Sequence, residues 1–203
     1  MKNSVSLEIT DRQKFITIAK EVFRKSIHLC SALIPIMLKF AYAPVIIALA
    51  FTVSLYTICE LLRLHGKNIP VVSSITAAAA RKRDENKFVL GPVTLSLGIL
   101  ASALLWSEQA YSIGIYALAF GDGLASLSGK LFGKVVLPFT QGKTAEGSLT
   151  CFTAIFISCF LTSHNTVLSL VIALCGTFIE VLPLKDLDNF IIPIALGAIA
   201  QFF

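Results

Sequence analysis

Residues 43–62 read APVIIALAFTVSLYTICELL, twenty positions with one acid and no base. A helix of that length runs about 30 Å, the thickness of a bilayer's hydrocarbon core. Working outward, six further apolar stretches follow the same pattern. They are Ile27–Tyr42 before it, then Val89–Trp106, Ala110–Leu127, Ser148–Thr162, Thr166–Leu184 and Asn189–Phe203 after it. The expected fold is all-α: a polytopic membrane helical bundle of about seven transmembrane helices. Composition agrees, with 56% hydrophobic and 14% charged residues in a chain of 203. Soluble domains carry about 25% charged residues, and a mean hydropathy of +0.81 lies on the membrane side. A secreted disulfide scaffold, a disordered chain and an ordinary cytosolic enzyme are excluded.

The basic residues orient the bundle. If the stretches alternate across the membrane, every lysine and arginine except Lys39 falls on one side. The positive-inside rule makes that side cytoplasmic, with the N-terminus on it. This placement also accounts for the net charge of +5 without invoking nucleic acid. No cleavable signal peptide is expected, because Glu8, Asp11 and Glu21 interrupt any apolar run near the start. Two basic amphipathic segments read as helices in the cytoplasmic interface. One begins at a capping box, Thr10-Asp11-Arg12-Gln13, and carries Phe15, Ala19, Val22, Phe23 and Ile27 at helical spacing. The other begins at Ser73 or Ser74 and runs to Ala80. The chain reads as one domain over 1–203, with 1–25 interfacial and 26–203 the membrane core. The five cysteines lie in apolar stretches with no metal-binding spacing, which suits packing between helices.

Ionisable residues at membrane depth are expensive and mark function. Asp122 sits inside the fourth stretch, flanked by Gly121 and Gly123. Glu180 lies near the cytoplasmic end of the sixth. Glu21, Arg24, Lys25 and His28 fall at i, i+3, i+4 and i+7, one face of a helix entering the membrane. Glu85, Glu146, Asp186 and Asp188 sit in loops or helix ends of the same side. Acids and lysines therefore meet at one membrane face, where carboxylates could hold Mg²⁺ and lysines could hold phosphates. Gly129 and Gly133 form a GxxxG pair that suits helix packing as well as close approach of a phosphate. Gly142-Lys143-Thr144 resembles the end of a P-loop, but position 137, which needs glycine, is Leu137.

Three motifs together carry a family resemblance. They are Gly121-Asp122-Gly123-Leu124-Ala125-Ser126, Gly129-Lys130-Leu131-Phe132-Gly133-Lys134, and Gly142-Lys143-Thr144-Ala145-Glu146-Gly147-Ser148. They resemble the signature of the CTP-dependent polyprenol kinases, a family that includes dolichol kinase, phytol kinase and CTP-dependent diacylglycerol kinase. The E-x-x-R-K-x-x-H run from Glu21 to His28, the segment Arg81 to Gly91, and Glu180 followed by Asp188-Asn189 and Pro193 extend the likeness. The central block is shared with phosphatidate cytidylyltransferases. Two features of those enzymes are missing here: the S-P pair before the lysine, and a G-H-G-G after Lys185-Asp186.

The resemblance implies a membrane lipid kinase that moves the γ-phosphate of CTP to a polyprenol-type alcohol or diacylglycerol, with Mg²⁺ as metal. A cytidylyltransferase is the alternative, and a small ion-coupled transporter the second. Asp122, Lys143, Glu146 and His28 are expected in catalysis, and Asp122 with Glu146 or Asp188 at the metal. Lys130, Lys134, Lys143, Thr144, Arg24 and Lys25 are expected at the nucleotide. Gly121, Gly123, Gly129, Gly133, Gly142 and Gly147 would let its phosphates approach the backbone. Glu21, Glu85, Glu180 and Asn189 complete the family-matched set. Expected partners are CTP and a membrane lipid, with no nucleic acid and possible self-association. The expected location is a bacterial inner membrane with a cytoplasmic site.

Overall fold

The computed structural model describes residues 18–67, 70, 76, 84, 87–140 and 142–203. The capping box at Thr10, the second surface helix from Ser73 or Ser74, and Glu85 lie outside the described residues. Among the described residues the chain is helical and forms no strand; Val136 and Thr144 make a single isolated bridge. Helix α1 covers 18–30 and continues through a 3₁₀ turn, Ser31–Leu33, into α2, Ile34–Phe40. Ala41 leaves helical geometry (φ −148°, ψ 66°), and α3 then runs from Tyr42 to Leu64. Next come α4 (Gly91–Leu105), α5 (Glu108–Tyr116), a π-helical segment (Ala117–Asp122) and α6 (Gly123–Phe132). The last three make one continuous rod. Helices α7 (Ala145–Ser163), α8 (Thr166–Val181) and α9 (Asp188–Phe202) complete the chain.

Local chemistry sets the boundaries. The Thr144 hydroxyl accepts from the Gly147 N–H and caps α7; the Asn165 side chain does the same for α8 through the Leu168 N–H. His164 ends α7 in the left-handed conformation (φ 52°). Pro92 occupies the first turn of α4, where a missing N–H costs nothing.

The α5–π–α6 rod is the centre of the bundle. Ala110 through Ile115 and Ala117 through Ala119 are all buried, so most of this stretch of the rod is covered by its neighbours. It packs on α7 and α9, and α9 packs also on α4 and α8. The core gathers Ile99, Ile113, Ile115, Leu118, Ile155, Ile172, Ile192 and Leu196. Two contacts with α9 require glycine. A Cβ at Gly98 would lie 2.4 Å from the Asn189 carbonyl oxygen, and one at Gly114 would lie 2.2 Å from that of Pro193. The Pro193 and Ile194 carbonyls take side-chain donors instead, Ser102 Oγ at 3.0 Å and Trp106 Nε1 at 3.1 Å.

The outside of the bundle is apolar. Ile47, Phe51, Leu104, Leu161, Leu174 and Phe178 are exposed. Helices Tyr42–Leu64 and Ala145–Ser163 are each long and apolar enough to cross a membrane. Gly91–Leu105, Thr166–Val181 and Asp188–Phe202 are apolar but shorter. Such a surface fits a membrane helical protein and would not stay dispersed in water.

The Gly114 contact gives a direct test. Gly114→Ala should destabilise the detergent-solubilised protein by about 1–3 kcal/mol, seen as a lower Tm. Gly91→Ala, where an added Cβ meets nothing within 4 Å, should leave Tm unchanged. Equal Tm values for both variants would contradict the packing described.

Candidate active site

Helix α1 is inverted relative to a soluble amphipathic helix. Its charged row, Glu21, Lys25 and His28, is buried, whereas Val22, Phe23 and Ile27 face outward. The segment expected to lie in the interface with its polar face in water thus turns that face onto α6. The reason is Asp122. Its Oδ2 receives the Lys25 ammonium at 2.5 Å, and His28 Nδ1 stands 3.1 Å from the same oxygen. That nitrogen lacks the alignment of a hydrogen bond. One turn further out, Glu21 accepts from Ser126 Oγ and Lys130 Nζ on α6 and from Arg24 on its own helix.

The π segment sets the register of α6. From Asp122 onward, Ala125, Ser126 and Gly129 follow at i+3, i+4 and i+7 and line one cavity of about 230 Å³. A π turn inserted in an α-helix is a frequent feature of functional sites. Facing α6 is the loop that holds Thr140, Gly142, Lys143 and Thr144. The Leu137 N–H donates to the Lys143 carbonyl and the Ala145 N–H to that of Val135, so the loop folds back as a tight hairpin. Gly142 takes φ +93°, which glycine adopts without strain. Lys143 Nζ lies 2.8 Å from Glu180 Oε1. Lys185 and Asp188 close the cavity from the segment between α8 and α9.

Two carboxyl groups in this cavity remain underused. Glu180 Oε2 is buried without a hydrogen-bond partner. Asp188, at the head of α9, is pushed up to about 6 by burial and then by the Asp122 carboxylate, against the pull of Lys25 and Lys143. Two mutually repelling carboxyl groups and an unpartnered carboxylate oxygen are a chemical environment suited to a cation.

The expected residues divide into three groups. Asp122, Lys25, Lys130, Lys143, Thr144, Glu180, Asp188, Gly129, Gly142 and Gly147 converge on the main cavity. Arg24, His28 and Asn189 line a smaller neighbour that shares Lys25, Asp122 and Asp188 with it. Glu146, Lys134, Gly121, Gly123 and Gly133 line neither. Glu146 sits 3.4 Å from the Val135 N–H. It stands in the first turn of α7, where a carboxylate faces the free backbone N–H groups of a helix N-terminus. It does not join Asp122, and among the described residues no three potential metal-ligating side chains cluster. Gly121 and Gly133 serve packing, because a Cβ would strike Ile155 and Thr144 respectively. Asn189 joins α9 to α4, with Nδ2 3.4 Å from Thr94 Oγ1.

Sequence reasoning missed Ser126, Thr140 and Lys185 as cavity residues. Ser126 lay within a quoted motif, four residues after Asp122, and that spacing could have found it. Glu60 was missed too. It is fully buried and holds Arg63 and the Val89 N–H, tying α3 to the start of α4.

Comparison with known proteins gives a consistent set of relatives. The chain is 27% identical over 156 residues to a probable phytol kinase 1 of Oryza sativa subsp. japonica, covering 68% of this chain and 49% of that one. It is 28% identical over 152 residues to phytol kinase 1 of Arabidopsis thaliana, covering 65% and 49%. It is 30% identical over 119 residues to the dolichol kinase of Saccharomyces cerevisiae, covering 57% and 22%. No family model and no solved structure matches. The homologues are thus phytol kinases and dolichol kinase, the polyprenol kinase family that the glycine-lysine block resembles. The chain spans about half the length of the plant relatives. These relatives are eukaryotic, so a bacterial inner membrane gains no support from them.

The Glu21 cluster predicts a pH dependence. Burial works to raise this carboxyl, but Arg24, Lys130 and Ser126 outweigh it and hold it down to about 2, from 4.5. A depressed carboxylate stabilises the fold above its unfolded pKa, and that stability is lost as pH falls through the folded value. Glu21→Gln should therefore cost on the order of 2 kcal/mol at pH 7, allowing for solvent around half-exposed Lys130. The gap in Tm to wild type should close between pH 4.5 and 2. A gap independent of pH would show that shape, not charge, is what the substitution removes.

Proposed function

We propose that this homologue of phytol and dolichol kinases is a membrane lipid kinase that transfers the γ-phosphate of CTP to a polyprenol-type alcohol. One observation carries the reading. The main cavity sets Lys25, Lys130, Lys143 and Lys185 around Asp122 and Asp188, beneath a loop with a left-handed glycine. That composition suits a triphosphate. Phosphoryl transfer asks the protein mainly for positioning and charge neutralisation, and little covalent chemistry.

In this reading the lysines neutralise the phosphates. Glu21 and Glu180 orient them, through Lys130 and Lys143. Gly142, with nothing within 4 Å of its missing side chain, leaves the backbone open to the phosphate oxygens, while Gly129 and Gly147 let α7 lie close against α6. Lys25 keeps Asp122 ionised and fixed, and His28 beside it accepts the proton of the attacking hydroxyl. Mg²⁺ binds through one or two carboxylates plus substrate phosphates, so it needs no closed protein cage. The donor set fits: Asp122 and Asp188 would hold it, with Glu180 near, and it would supply further charge neutralisation on the transferred group.

The label in the product tests the reaction. CTP labelled in the γ-phosphate should pass label to a long-chain isoprenoid alcohol with release of CDP. Transfer of α-label to phosphatidate would instead mean a cytidylyltransferase. Asp122→Asn keeps the shape but not the charge, and should lower turnover by at least about a hundredfold, a loss of about 2.7 kcal/mol in transition-state stabilisation. Full activity in that variant would remove Asp122 from the mechanism.

The reading includes seven crossings with the site at the cytoplasmic face, supported by the one-sided placement of the basic residues. Cysteines introduced at Lys134 and Lys185 should react with an impermeant reagent from one side, and those at Glu108 and His164 from the other. Labelling of Lys134 and Lys185 positions from opposite sides would rule out this topology.

A further inference from the structure

The Lys25–Asp122–Asp188 wall has a second side. Behind it, between α1 and the start of α4, lies a cavity of about 40 Å³ whose apolar wall is Ile27, Pro92 and Leu95. We propose that this cavity binds the hydroxyl-bearing end of the lipid acceptor, so that donor and acceptor approach Asp122 from opposite sides. The inference rests on the lipid-kinase reading and names the acceptor subsite of that site.

Size is the first argument. A space of about 40 Å³ holds a few water-sized groups, which excludes a nucleotide but admits the hydroxymethyl end of a chain. Direction is the second. In-line transfer needs the nucleophile on the far side of the phosphorus from the leaving group, and the two cavities border the same three residues, Lys25, Asp122 and Asp188, on which such an approach would converge. Access is the third. Ile27 lines the cavity yet remains 37% exposed, on the outward apolar row of α1 with Val22 and Phe23. A hydrocarbon tail can therefore continue outward over apolar side chains while its head lies inside.

Charge is the fourth argument, and it selects the acceptor. Among the described residues, Asp84, Asp122, Asp186 and Asp188 line this cavity together with Arg24, Lys25 and His28. A wall carrying this many carboxyl groups favours a neutral alcohol over a second phosphate. A phosphatidate headgroup is disfavoured here on the same ground. The step balances simply. The alcohol oxygen bonds to the terminal phosphorus as the bond to its bridging oxygen breaks. The electron pair of that bond leaves with the nucleoside diphosphate, and the hydroxyl proton passes to His28, which lines this cavity. A larger apolar groove of about 640 Å³, between α2, the π segment and α7, shares no lining residue with either cavity.

A farnesol-length alcohol with a diazirine next to its hydroxyl carbon serves as both substrate and label. Crosslinks should fall on Ile27 and on residues 89–95, and unlabelled alcohol should compete them away. Ile27→Trp, at an exposed position outside the catalytic machinery, should raise KM for the alcohol about tenfold or more while KM for CTP stays within about twofold. Crosslinks confined to Leu33, Phe120 and Leu161 of the other groove would overturn the assignment. So would equal shifts of both KM values. Phosphorylation of the probe by wild type is read separately. Its absence would sink the lipid-kinase reading, whereas turnover with crosslinks elsewhere would sink only the acceptor subsite.

Discussion

The buried ion pair between Lys25 and Asp122 is the constraint on which the arrangement of this molecule depends. A carboxylate with 5% of its residue exposed cannot remain ionised alone in a low-dielectric interior. It needs a cation delivered through the apolar surroundings, and α1 delivers it. This explains why α1 turns its charged row inward and its apolar row outward. Removing one partner of such a pair costs about 3–5 kcal/mol, because it leaves an uncompensated buried charge. The pair contributes little net stability beyond that of an apolar contact of equal volume. What it determines is where α1 docks.

The rest of the site follows from that docking. With α1 seated on α6, Glu21 comes within reach of Ser126 and Lys130, and His28 comes beside Asp122. Close backbone approach does the remainder. A Cβ on Gly147 would lie 2.9 Å from the Ala125 carbonyl oxygen and 3.4 Å from the Gly129 Cα, so α7 can lie directly against α6. The hairpin between these helices is thereby held over the cavity, and Lys143 reaches Glu180 on α8. Two cavities share the Lys25–Asp122–Asp188 wall, lysine-rich on one side and carboxylate-rich on the other.

The glycine-lysine block shows where legibility stopped. Its charge and glycine content were visible at once, but not which glycines approach a ligand. Gly142 lines the cavity with open space where a side chain would stand, whereas the space beside Gly121 is filled by Ile155 and that beside Gly129 and Gly133 by Thr144. Spacing cannot separate these roles, since both demand a missing side chain. Glu146 lies outside both cavities for a related reason. It belongs to the motif, yet as the second residue of α7 it meets backbone N–H groups before it can meet a metal. Lys185 was passed over because its Lys185-Asp186 pair was weighed only against the cytidylyltransferase motif. The turn between α8 and α9 brings it in, with φ 58° at that residue.

The sequence by itself determined the helical class, the limits of most helices and the presence of a buried acid, Asp122, that calls for a base. Those properties are local: twenty apolar residues without a breaker form a helix, and an acid among them must be answered by a base. Tertiary structure alone decided which base answers Asp122, that α1 is inverted, and that Asp188, not Glu146, shares its cavity. Lys25 and Asp122 are 97 positions apart. Several lysines in the chain satisfy the same electrostatic need on paper. Only the packing of α1 on α6, where Leu29 lies against Gly123, places Lys25 and not another lysine within bonding distance.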